Sequence, residues 1–187
     1  MPQLGRRRFV AGAAALPVWL LTARANATLM RGLSLRDLCA HSRHIALVKA
    51  SEARCMSLPI AGRLMNATET RVLVEESLSK IAPENTEIVV RTLGGVLNGV
   101  GELAHGQAEL ALNARCVAFL TRADDGALWV TGMAQGHYPL LSSGAEPKLG
   151  PSPHLPTLRD FEHSAVRGLV GRNLSLAREL IRRESAG

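Results

Sequence analysis

One stretch, Glu87 to Leu120, constrains this chain more than any other: EIVVRTLGGVLNGVGELAHGQAELALNARCVAFL. Glu87–Leu93 places Ile88, Val89 and Val90 in a row, the β-branched signature of a strand. Arg115–Leu120 alternates, with Val117 and Phe119 on one face and Cys116, Ala118 and Leu120 on the other. Between them stand Gly94, Gly95, Gly99, Gly101 and Gly106, which predict a bulged or kinked connection in a curled sheet.

Around this unit the pattern stays mainly β. Ser34 is a candidate N-cap, with Asp37 at the capping-box position, for a short helix carrying Leu35, Leu38 and Cys39 on one face. His44–Val48 predicts a strand running toward Cys55, interrupted at Pro59. Thr68–Glu75 predicts a second, with Thr70, Val72 and Val74 on one face, and Glu76–Ile81 a helical turn. Asp124-Asp125-Gly126 is a hairpin turn, followed by strands at Leu128–Met133 and Gly136–Leu141. Five or six short strands at this spacing predict an α+β chain built on a small antiparallel, OB-like barrel or curled sheet. Residues 142–156, SSGAEPKLGPSPHLP, read as a Pro/Gly/Ser linker between a β-domain at 28–141 and a helical segment at 157–187, N-capped by Thr157.

Residues 1–27 predict an export signal. Arg6, Arg7 and Arg8 precede an apolar run from Phe9 to Leu21, too short for a comfortable bilayer span, and Ala25-Asn26-Ala27 follows as a signal-peptidase site cut after Ala27. Arg6, Arg7 and Phe9 fit the twin-arginine pattern, so the expected transient partners are the twin-arginine translocase and signal peptidase, and the expected location is the periplasm or the medium. This segment takes four of the 22 basic residues and none of the 16 acidic ones, leaving 18 against 16. So balanced a remainder carries no electrostatic footprint for nucleic acid.

The chemical motifs are few. The glycines do not spell G-x-G-x-x-G, and no G-K-[ST] follows. Cys39, Cys55 and Cys116 form no C-x-x-C; a buried inert thiol at Cys116 and a Cys55–Cys116 bridge are both open readings. His41, His44, His105, His137, His154 and His163 make no zinc spacing, and no G-x-S-x-G elbow occurs, so no cofactor or metal is expected.

The run from Ser34-Leu35, through His44–Val48, RTLGGVLNGVG and Cys116–Leu120, to Gly132-Met133-Ala134-Gln135-Gly136 resembles a group of small exported bacterial proteins without assigned activity. That resemblance covers residues 34 to about 140 and implies no chemistry. The order of leading helix, long strands and V-x-F-L strand is more distantly similar to the netrin-like, OB-like domain of metalloprotease inhibitors. Those inhibitors chelate the protease metal through an N-terminal cysteine. Here the chain after Ala27 starts Thr28-Leu29-Met30, so the inhibitory mechanism does not carry over. The resulting expectation is a non-catalytic module that binds a protein or peptide in the cell envelope, using Gly94, Gly95, Gly99, Gly101, Gln135 and His137 as its binding loops. The alternative is an exported enzyme or cofactor carrier with a polar pocket at His105, His137 and Cys116.

Overall fold

Ile45-Ala46-Leu47-Val48 and Cys116-Val117-Ala118-Phe119-Leu120 are apolar at every position, as strands buried on both faces must be. The computed structural model, which describes residues 29–79, 84–142 and 144–186, pairs them antiparallel in β2 (His44–Ile60) and β7 (Arg115–Arg122), Ile45 opposite Phe119 and Val48 opposite Cys116. The other strands are β1 (Leu29–Arg31), β3 (Arg63–Ser77), β4 (Glu87–Leu93), β5 (Gly95–Leu97), β6 (Val100–Glu102), β8 (Leu128–Val130), β9 (His137–Leu141), β10 (Lys148–Leu149) and β11 (Thr157–Arg159). The helices are α1 (Leu35–Ala40), α2 (Ala165–Leu169) and α3 (Leu174–Ser185).

The fold is mainly β, as expected, but its main sheet is mixed rather than antiparallel. Seven strands run in the order β10-β9-β7-β2-β3-β4-β8. β8 pairs parallel with β4 and antiparallel with β7. A separate parallel pair joins β1 to β11. The Asp124-Asp125-Gly126 hairpin forms as expected, with the Asp125 carboxylate accepting from the Ala127 N–H at 3.0 Å.

Two cores lie on opposite faces of β2 and β7, following the alternation read from the sequence. Ala46, Val48, Ala50, Cys116, Ala118 and Leu120 join Val72, Val74, Val90 and Val130 in one. Ile45, Leu47, Val117 and Phe119 join Leu38, Tyr138, Leu169, Leu174 and Ile181 in the other, which the three helices cover. α1 forms as read, with Ser34 Oγ accepting from the Asp37 N–H at 3.1 Å. α3 is fastened by Arg178 and Arg182, both bonded to Glu76 at the end of β3.

Several boundaries differ from expectation, each for a local reason. Pro59 does not interrupt β2, which pairs with β3 to Ile60 opposite Arg63 across a two-residue turn at Ala61-Gly62, both at positive φ. Glu76 and Ser77 continue β3 rather than turning helically, because β2 supplies partners at Leu47 and Ala46. The strand expected at Leu128–Met133 stops at Val130, and Met133–Gly136 is a 3₁₀ turn. The stretch expected as a linker contributes β10, and its Leu149 is fully buried among the helices. Thr157 opens β11 and no helix; Ser164 and Asn173 cap α2 and α3 instead. The proposed bridge is not made: Cys39, Cys55 and Cys116 are free thiols. Cys55 lies seven residues beyond Val48, the partner of Cys116, or roughly 23 Å along the strand.

Asn173 Oδ1 accepts from the Leu176 N–H at 3.1 Å, closing the first turn of α3. Asn173→Ala is expected to cost about 1 kcal/mol of stability, read by thermal or urea unfolding. No described helix is long and apolar enough to cross a membrane.

Candidate functional site

A single extra residue shapes the far end of β2. Ala50 pairs with Val72 and Glu52 with Arg71, so Ser51 bulges out. Before the bulge the even residues Ala46, Val48 and Ala50 face the core; after it the odd residues Ala53, exposed, and Cys55, half-buried, take over that side of the strand, opposite Thr70 and Thr68. Glu52 and Arg54 turn to the other face. There Arg71 bridges Glu52 and Glu87, each at 3.5 Å, and Arg91 bridges Glu69 at 2.9 Å and Asp125 at 2.6 Å. The exposed pairs of Arg71 contribute little to stability, and together with the half-buried Arg91–Glu69 pair they engage Arg71 and Arg91 on that face.

The inner face of this arm is the floor of a groove of about 600 Å³. Thr68, Thr70 and Thr92 lie at its base. The β5–β6 hairpin forms one wall and residues 103–112 the other. Gly95 must be glycine: its φ is +129°, and a Cβ there would collide with Thr68 Oγ1 and stand 2.8 Å from Cys55 Sγ. The hairpin turns at Asn98 (φ 51°) and Gly99 (φ 78°), the left-handed pair of a two-residue turn. The rim is apolar and open to solvent at Val96, Leu103 and Leu112.

The groove adjoins a bare strand edge. β7 pairs with β2 only as far as Lys49, and residues 113–114 bond the backbone of Ala50. From Ser51 to Ile60 no strand pairs with that side of β2 among the described residues. Counting back from the two-residue turn, alternate residues bond β3, which leaves the N–H and C=O groups of Ala53, Cys55 and Ser57 pointing outward. The Asn66 N–H, opposite Ser57, likewise points away from β2 and donates to Glu102 Oε2 at 2.7 Å.

The expected binding residues divide between this groove and the interior. Gly94, Gly95 and Gly101 line the groove, and Gly99 is at the hairpin tip. Gln135 is buried and structural: its Oε1 accepts from the Leu33 N–H at 2.8 Å and its Nε2 donates to the Arg31 carbonyl at 3.1 Å, holding the chain beside β1. His137 is buried too, its Nδ1 3.0 Å from Ser152 Oγ. Burial pushes its pKa down to about 4, against a weak opposing pull from Glu109. His105 is exposed. Cys116 is in the core, where burial pushes its thiol up to about 12, so it presents no thiolate. None of these three side chains lines the groove. The signal residues Arg6, Arg7, Phe9, Ala25 and Ala27 lie outside the described residues.

Sequence reasoning missed the threonine floor and the bare edge. Asn98-Gly99 was the available signal for the hairpin; the edge had none, because strand neighbours at long range are not encoded locally. No protein-family model, curated protein or solved structure matches the chain.

Proposed function

We propose that this chain is an exported, non-catalytic module that binds an extended peptide by adding it as a strand to β2 beside the groove. The body carrying that edge is a five-stranded OB-like barrel. Support for the barrel comes from the cycle of pairings in which β2 bonds β3, β3 bonds β4, β4 bonds β8, β8 bonds β7 and β7 returns to β2. Export by the twin-arginine route and a periplasmic or external location rest on residues 1–27 and belong to the same proposal. So does the kinship with small exported proteins suggested by the glycine-rich run.

The observation that carries the binding reading is the side of β2 from Ser51 to Ile60 that no strand pairs among the described residues. Bare edges template pairing with other chains, and proteins that do not use them cover or charge them. Here Pro59 closes the far end, while Ala53, Cys55 and Ser57 offer uninterrupted donors and acceptors.

Panning against a displayed library of random decapeptides tests the reading. The expected binders slow hydrogen exchange at the Ala53, Cys55 and Ser57 amides. Ser57→Pro removes one outward N–H, leaves the β3 ladder intact, and is expected to weaken those binders about tenfold. Binders that leave the three amides exchanging at the free rate would sink the proposal.

A further inference from the structure

The charge of the groove selects its occupant, an inference that rests on the strand-pairing reading above. The chain beyond residue 27 carries 18 basic against 16 acidic residues, from 22 and 16 overall, yet among the described residues the charged and titratable ones lining the groove are Glu102, Glu109 and His154, with no lysine or arginine. The arm's arginines face the other side of the sheet, where Arg54 and Arg91 meet Glu69 and Arg71 meets Glu52. Each groove carboxylate is half engaged. Glu102 Oε2 takes the Asn66 N–H at 2.7 Å, and Glu109 Oε2 is 2.8 Å from His154 Nε2. Among the described residues neither Oε1 accepts a hydrogen bond.

Apolar surface lies beside these oxygens. Leu103 is 66% exposed and Leu112 51%. Ala53 belongs both to the bare edge and to the groove lining, so a strand added to β2 turns alternate side chains into the groove. The lining offers those side chains both aliphatic surface and carboxylates. Lysine and arginine suit that combination, with a long apolar stem and a charged tip. An acidic side chain meets two carboxylates and, among the described residues, no lysine or arginine in the groove.

We propose that the groove binds an extended peptide whose inward positions combine aliphatic residues with lysine or arginine, the stem on Leu103 and Leu112 and the cation at the free oxygens of Glu102 and Glu109. Three synthetic decapeptides test it: alternating valine–lysine, valine–serine and valine–glutamate, measured by fluorescence anisotropy at low and physiological salt. The lysine peptide is expected to bind at least tenfold tighter than the serine peptide, and the glutamate peptide weakest. In a Glu102→Gln, Glu109→Gln double variant the lysine peptide is expected to fall to the level of the serine peptide. Equal binding of the lysine and serine peptides, or a lysine peptide insensitive to the double variant, overturns the charge selection while leaving strand pairing intact. If no peptide protects the β2 edge amides, the strand-pairing reading falls with it. Protection that instead rises with protein concentration alone identifies a second copy of this chain as the occupant and also overturns the proposal.

Discussion

Replacing Phe119 by alanine lowers the free energy of unfolding by about 3–5 kcal/mol. Phe119 is 0% exposed and stands opposite Ile45 on β2. Its ring meets Tyr138 edge-on, centroids 5.9 Å apart at 67°. Three phenylalanines and one tyrosine occur in the whole chain, so few bulky rings fill the helix-covered core. The walls cannot collapse into the vacated space. Ile45 and Val117 are held by strand pairing, and α3 is latched to Glu76. Urea unfolding followed by far-UV circular dichroism measures the loss. A change below about 1 kcal/mol would mean that Phe119 does not occupy the packed centre described above.

Acidification is the second large effect, and its sign follows from burial. The folded protein holds His137 at a pKa of about 4, against an ordinary 6.5 in the unfolded chain. The unfolded state therefore binds the proton first as pH falls. Stability from the neutral, buried imidazole is complete above pH 6.5, declines below it, and is spent once pH reaches about 4. The gap corresponds to about 3 kcal/mol. His44 is shifted in the same direction, first by burial and then by Arg43 and Arg122, and deepens the decline. Denaturant titrations at half-unit steps from pH 7.5 to 4.5 record the slope. His137→Gln keeps a partner for Ser152 Oγ and removes the titration, so its profile is expected to be flatter by most of that amount. Parallel profiles for the two proteins would show that His137 is not the acid-sensitive group.

How much of this was legible in the residues depends on the range of the interactions. Alternation fixed the faces of β7 correctly, because a strand's two sides differ at every step and Val117 and Phe119 read against Cys116 and Leu120. Ser34 and Asp37 announced α1, since a cap is a three-residue event. The failures lie where distant chain supplies the stabilisation. Pro59 looked like a break, yet on a bare edge its missing N–H costs nothing. Residues 142–156 looked like a linker from their prolines, glycines and serines, but buried Leu149 and the bonds of Glu146, Pro147, Gly150 and Ser152 anchor them to α3 and β9. Parallel pairing of β4 with β8 has no local signature at all. For the site, the glycines pointed to the right wall, whereas Gln135 and His137 turned out to be interior supports. Thr68 and Thr92 follow Val72 and Val90 on one face by plain alternation, and the Ser51 bulge brings Ala53 and Cys55 of the opposing strand onto that face.

The latch between Glu76 and α3 has a consequence in time. One apolar face of β2 and β7 is covered in part by residues 165–185, which a ribosome makes after β2 and β7. A nascent chain stopped at the sheet exposes Ile45, Leu47, Val117 and Phe119 to whatever holdase is nearby. Closure of that face therefore waits until residues 165–185 have been made.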